Sequence, residues 1–147
     1  MSSNMVEIFR NLGRSDALAL RANASKMTQT EIIDNEISAP YFDPQKDYTS
    51  FPAGSPVKDE NQVWHLLQPY NAAHYEGRPS TLRALWGLAH TKNPAKAKPW
   101  VDALGTSGMY MKDECYVDEN GTVWRCLNDN TVHPASSYPI GWVDTNL

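Results

Sequence analysis

An eight-residue stretch occurs twice in the chain and constrains the fold more than any other feature. Residues 57–64 read VKDENQVW, and residues 117–124 read VDENGTVW. Each copy leads from an apolar residue through an acidic, Asn-containing turn to a Val-Trp pair, which is typical of a short β-hairpin. Similar residues flank both copies, so the sequence repeats with a period of roughly sixty residues. The repeat predicts two small modules in tandem.

The repeat divides the chain into three parts. Residues 1–39 precede the first module, residues 40–98 form that module with a linker, and residues 99–147 form the second module. A module of about fifty residues buries only a thin core, so large aromatic side chains must supply much of it. The composition agrees, with five Trp and seven Tyr against three Phe. The sequence predicts a mainly β protein in which two three-stranded antiparallel modules follow a short helical segment.

Residues 1–39 carry helical patterns. Apolar residues recur at helical spacing within residues 5–12 and 17–24, and Thr28 with Glu31 forms a capping-box pattern. Isolated helices of this length are marginal in water, so they need a partner surface. Two alternatives remain open: the helices pack on the modules or join copies into a homo-oligomer, or they attach the chain to a larger assembly.

The charge distribution and the N-terminus exclude several classes of partner. The net charge is -4, and residues 99–147 carry seven Asp and Glu against two Lys and Arg. An acidic module repels phosphates, so we expect no nucleic-acid partner. The N-terminus lacks the basic start and apolar core of a signal peptide, and no apolar run is long enough to span a membrane. We expect the protein to be made in a cytoplasm.

The turn of the second module predicts a strand register. Asn120-Gly121 is the strongest two-residue hairpin signal, because a type I′ turn needs positive φ at both positions. With these two residues as the loop, Cys115 faces Cys126 within disulfide distance, and Tyr116 lies on the outer face. We expect free thiols in a cytoplasm and a bridge in an oxidising setting.

The chain shows no catalytic or metal-binding pattern. Its four His are scattered without metal-ligand spacing, and it contains no Gly-rich phosphate loop and no nucleophile motif. The acidic pairs at residues 113–114 and 118–119 flank a turn on a thin module, which favours a solvated edge over a glycosidase carboxylate pair. We therefore expect no enzymatic activity, no metal and no cofactor.

Aromatic residues are the remaining candidates for a site, because rigid amphipathic rings stack on sugars or anchor protein interfaces. Four of the tryptophans occupy repeated positions, and we expect all five to form a structural core: Trp64, Trp86, Trp100, Trp124 and Trp142. Five tyrosines lie in polar or loop contexts and are the candidate carbohydrate-binding residues: Tyr70, Tyr75, Tyr110, Tyr116 and Tyr138.

The spacing of these residues resembles the small chitin-binding modules of carbohydrate-binding families five and twelve. The first module matches at Phe51, Gly54, Ser55, Val57, Asn61, Trp64, Pro79 and Trp86. The second matches at Trp100, Tyr110, Asp113, Glu114, Gly121, Trp124, Pro134 and Trp142. The resemblance implies the fold and sugar binding. However, the family carries exposed tryptophans after the return strand, and residues 65–68 and 125–128 contain no aromatic residue.

Such modules behind a helical segment without a signal peptide are similar to proteins of phage and prophage virions. The resemblance implies a non-enzymatic tail, baseplate or head-fibre protein whose modules bind host surface or cell-wall polysaccharide. One alternative is a structural virion subunit whose modules contact other virion proteins. Another is the accessory polysaccharide-binding domain of an enzyme.

Overall fold

The computed structural model describes residues 16–146. Residues 16–23 are helical (α1) and continue into a 3-10 turn at Ala24–Lys26; α2 spans Gln29–Asp34, and a further 3-10 turn spans Glu36–Ser38. The predicted capping box at the start of α2 is confirmed. Thr28 Oγ1 accepts from Glu31 N, and Glu31 Oε1 accepts from Thr28 N, both at 3.1 Å. The apolar stripe of residues 5–12 lies outside the described residues.

The first module contains an antiparallel sheet in the order β1-β2-β3, formed by Pro56–Asp59, Gln62–Leu66 and Trp86–Leu88. Glu60 and Asn61 connect β1 to β2 with φ values of 51° and 64°. Positive φ at both loop residues defines the type I′ turn, whose twist matches that of the flanking strands.

The second sheet has the order β4-β5-β6-β7, formed by Lys98–Pro99, Cys115–Val117, Val123–Cys126 and Trp142–Asp144. The last three strands are antiparallel, as predicted, whereas β4 pairs with β5 in parallel. The mostly β fold with two small sheets after a short helical segment is thus confirmed. The second sheet gains a fourth strand because residues before the predicted start of the module join its edge.

The turn of the second hairpin is one residue longer than predicted. Gly121 N donates to Asp118 O at 3.0 Å and Asp118 N donates to Thr122 O at 2.9 Å, so three residues form the loop. Gly121 has a φ of 81°, as in a three-residue loop closed by a bulge. The Asp118 carboxylate accepts from the backbone N–H groups of Asn120 and Thr122. These bonds stabilise the longer loop.

The extra loop residue changes the strand register. Cys115 pairs with Arg125, and Tyr116 pairs with Trp124. The predicted pairing of Cys115 with Cys126 is therefore wrong, although both cysteines are buried free thiols. A one-residue shift also exchanges the two faces of a strand. Tyr116 consequently lies in the core and not on the outer face.

The helical segment packs on the first module. Ala24, Ile32 and Ile33 form one apolar cluster with Val63 of β2 and Ala89. The described part of residues 1–39 therefore has its partner surface within the chain.

The basic, Pro-containing segment of residues 90–99 predicts an exposed linker, but the two modules contact each other there. His90 and Thr91 are buried. Cys115 N donates to Thr91 O at 2.8 Å, and Gln62 Nε2 donates to Pro99 O at 2.8 Å. The expectation of an exposed linker is wrong for its first residues, because their backbone is bonded to the edge of the second sheet.

Two isoleucines of the helical segment provide a matched test of this packing. Ile33 is 0% exposed, whereas Ile37 is 89% exposed. We expect Ile33→Ala to lower the free energy of unfolding by about 2 to 5 kcal/mol, since it leaves a cavity against the first module. Ile37→Ala should change it by less than about 0.5 kcal/mol. Urea unfolding of both variants measures the difference, and equal effects would contradict the docking of this segment.

Candidate functional site

Three of the five candidate tyrosines are buried and present no ring face to solvent. Tyr70 lies in the core of the first module, and Tyr110 and Tyr116 lie in that of the second. The prediction that these three tyrosines lie at the surface is wrong. The same reason applies to all three: a small module has few aliphatic side chains, so large aromatic rings fill its core. Burial also raises the pKa of Tyr110 well above its usual range. Tyr75 and Tyr138 are exposed.

The hydroxyl groups of two buried tyrosines are used as structural acceptors. Tyr70 Oη accepts from Trp86 Nε1 at 2.8 Å, and Tyr116 Oη accepts from Ala135 N at 2.9 Å. A buried hydroxyl without a partner is costly, so these bonds fix both rings in place. Sequence patterns did not reveal them because the partners are 16 and 19 residues away.

The five tryptophans divide into two groups. Trp64, Trp86 and Trp142 are buried, in keeping with the expected core. Trp100 and Trp124 are only partly buried and pack against the core of the second module. These two side chains line an open groove, which we call the aromatic groove.

Strand pairing explains how the aromatic groove forms. Tyr116 pairs directly with Trp124, and Lys98 pairs with Tyr116 from the other side. Directly paired residues share a face of the sheet, as do residues two apart on a strand. Trp100 follows directly after β4, and its ring meets that of Tyr116 edge to face at 5.0 Å, so Trp100 and Trp124 flank the buried Tyr116. The 118–120 turn and the 134–136 loop complete a groove of about 550 Å³.

Each groove tryptophan is oriented by an aspartate. Trp100 Nε1 donates to Asp102 Oδ1 at 2.7 Å, and Trp124 Nε1 donates to Asp118 Oδ2 at 2.9 Å. The Trp124 bond, with backbone donors, holds the pKa of the Asp118 carboxyl below its usual range. Asp118 is consequently anionic at neutral pH, and the groove has an acidic rim that also includes Glu119.

The Trp100 ring packs on a stack of two further aromatic rings, those of Tyr110 and His90. It lies 4.8 Å from the Tyr110 ring, with an angle of 10° between the planes. Tyr110 in turn stacks on His90 at 3.7 Å, while Trp142 meets Trp100 edge to face at 5.9 Å. Such packing holds Trp100 in one orientation, which lowers the entropic cost of binding a ligand against it.

Trp64 of the first module corresponds to Trp124 in the repeat, but its ring is covered. Trp64 is 1% exposed, and Arg83 Cζ lies 5.3 Å above its ring. Arg83 also donates to the carbonyl oxygens of Asp102 and Ser107 in the second module, both at 3.4 Å. The repeat therefore places an open tryptophan in the second module and a covered one in the first.

The first of the two acidic pairs, residues 113–114, lies outside the lining of the groove. Glu114 is buried, accepts from Met111 N at 2.7 Å and lies 3.2 Å from His90 Nδ1. Its neighbour Asp113 is exposed. Within residues 16–146, no three His, Cys, Asp or Glu residues come together as a metal site.

No protein-family model and no curated protein sequence matches the chain. Among the residues that the structure describes, no helix has the length and apolar character needed to cross a membrane.

Sequence reasoning assigned Trp100 and Trp124 to the core and so missed their part in the groove. One usable signal was present: Asp102 and Asp118 lie two and six residues from the tryptophan that each one orients. In the first module Trp64 donates to a backbone oxygen, that of Asp59, at 3.2 Å. The two partly open tryptophans are thus the ones whose indole N–H group donates to a carboxylate.

The bond between Trp124 and Asp118 predicts a pH dependence. Because the pKa of Asp118 is lower in the folded chain, its carboxylate stabilises the fold above about pH 4, the ordinary value. This contribution is lost as the pH falls through the folded-state pKa. We expect Trp124→Phe to move the pKa of Asp118 toward the ordinary value and Trp100→Phe to leave it unchanged. Carboxyl NMR titration measures both, and identical pKa values in the two variants would contradict the assignment.

Proposed function

We propose that this chain is a non-enzymatic glycan-binding protein and that the aromatic groove holds the glycan. One observation carries the proposal: Trp100 and Trp124 are partly open on one face, and each is fixed by a carboxylate. Aromatic rings of this kind supply rigid contact area with a small loss of conformational entropy on binding.

The chemistry of the groove suits a neutral or amino sugar. The apolar C–H face of a pyranose stacks on an indole ring, while its hydroxyl groups need hydrogen-bond acceptors at the rim. Glu119 and Asn120 at the turn supply such acceptors. The volume of about 550 Å³ lies within the range of small-ligand sites.

We further propose that the protein is a virion component that contacts polysaccharide on the host surface, as its resemblance to phage-borne carbohydrate-binding modules suggests. A single open groove gives weak affinity, so useful attachment requires many copies held together. In this proposal, other virion proteins and further copies of the chain provide that multivalency.

A purely structural virion subunit is the second candidate. Ile37 and Ile140 are 89% and 77% exposed, and Leu104 is also exposed. Exposed aliphatic side chains of this size favour contacts with other proteins. In this alternative, the modules bind neighbouring subunits and the aromatic groove takes no sugar.

Retention on insoluble glycans distinguishes these functions. We expect the full chain to be retained on chitin, cellulose or bacterial cell walls, and Trp124→Ala to weaken retention about tenfold, since loss of a stacking ring costs roughly 1 kcal/mol or more. The exposed candidates Tyr75 and Tyr138 lie outside the groove, so in this proposal they do not hold the glycan, and Tyr75→Ala and Tyr138→Ala should leave retention unchanged.

A second variant separates loss of binding from loss of folding. Ser136 lies exposed at the rim, so Ser136→Trp fills the groove without removing a core contact. We expect it to abolish retention while the thermal unfolding midpoint stays unchanged. Retention that survives both Ser136→Trp and Trp124→Ala would rule out the aromatic groove as the glycan site.

A further inference from the structure

We propose that a second groove, on the first module, binds a sugar that carries a carboxylate group. This groove, which we call the basic groove, lies between α1 and the loop that leads toward β1. Its volume is about 530 Å³. The side chains that carry the inference are Arg21, Tyr41, Asp43, Lys46, Tyr48 and Phe51.

Two cations share one aromatic ring in the basic groove. Arg21 Cζ lies 4.0 Å from the Phe51 ring centroid, and Lys46 Nζ lies 5.2 Å from it. The two charges are therefore no farther apart than the sum of these distances. Neither takes part in the ion pairs formed among residues 16–146. Both side chains line the same groove, so an anion bound in the groove is attracted by both charges.

The carboxylate of the groove itself does not neutralise this pair. Asp43 Oδ1 accepts from Gln45 N at 2.9 Å, a local turn bond. The lining contains two positive side chains, Arg21 and Lys46, and one negative side chain, Asp43, so its net charge is positive. Arginine in particular recognises carboxylates through paired N–H donors.

A stacking surface lies beside the cations. Tyr41 is 76% exposed, and Lys58 Nζ lies 4.6 Å above its ring. The floor is rigid, because the buried Tyr48 hydroxyl accepts from Asp43 N at 3.0 Å. Burial raises the pKa of Tyr48 from its ordinary value near 10 to about 12, so its hydroxyl group stays protonated well into the alkaline range. The exposed Tyr41 ring suits the apolar face of an acidic sugar, and the neighbouring Arg21 and Lys46 suit its carboxylate.

The charge of the whole chain favours a sparsely charged sugar over nucleic acid. A duplex carries a phosphate about every 1.7 Å along its axis, and proteins that bind it present extended basic surfaces. This chain has a net charge of -4 and an acidic second module. The local excess in the basic groove therefore fits the carboxylates of an acidic sugar, one on each sugar residue, better than the dense phosphates of a duplex.

The basic groove is independent of the aromatic groove. The latter has Asp118 and Glu119 at its rim and repels an acidic sugar, whereas the basic groove attracts one. Variants of Trp124 or Ser136 leave the basic groove intact, so the two proposals fail or succeed separately.

The test uses the full chain with polygalacturonate as the probe and fully methyl-esterified polygalacturonate as the uncharged match. We expect binding to the first and not to the second, with an affinity that falls as salt is added. Lys46 is exposed, so Lys46→Glu should fold normally. It should weaken binding about tenfold or more, because a charge-assisted bond becomes a repulsion.

Lys112→Glu is the matched control, since Lys112 is an exposed lysine of the second module. It changes the net charge by the same amount and should leave affinity within about twofold. Tyr41→Ala should also weaken binding without changing the salt dependence. Equal binding to the esterified polymer, equal effects of Lys46→Glu and Lys112→Glu, or preferential binding of duplex DNA would each overturn the proposal.

Discussion

Every tryptophan of this chain donates its indole N–H group to a partner within the fold, and much of the structure depends on that requirement. Strands of two to five residues bury little aliphatic surface, so rings must fill the cores. A buried indole N–H without an acceptor is costly. The acceptors come from a hydroxyl, two backbone carbonyls and two carboxylates, and they determine where each ring is fixed: Tyr70, Asp59, His133, Asp102 and Asp118.

The type of acceptor separates the buried tryptophans from the partly open ones. Tryptophans that donate to a backbone carbonyl or a hydroxyl group inside the core are buried, as Trp64 and Trp86 are. A carboxylate without a cationic partner keeps its charge only near solvent, and the rings bonded to Asp102 and Asp118 are accordingly partly open. The two hairpins are similar in sequence, but Trp64 of the first is covered, whereas Trp124 of the second lines a groove.

The repeat, the hairpins, the capping box and the mostly β class could be predicted because each depends on local spacing. The register of the second hairpin could not, since the Asp118 carboxylate selects a three-residue loop over the two-residue turn that Asn120-Gly121 favours. That single residue moved Tyr116 into the core. The burial of Tyr70 and Tyr110, and the openness of Trp100, depend on contacts far apart in sequence, which residue type and spacing do not encode.

The NMR signals of the five indole N–H groups test most directly whether the aromatic groove binds a glycan. In a two-dimensional NMR spectrum each gives a separate signal, and soluble chitin or cellulose oligosaccharides are added in steps. We expect the signals of Trp100 and Trp124 to move as ligand is added and those of Trp64 and Trp86 to stay in place. Unmoved signals at saturating sugar, or shifts confined to the buried rings, would contradict glycan binding in this groove.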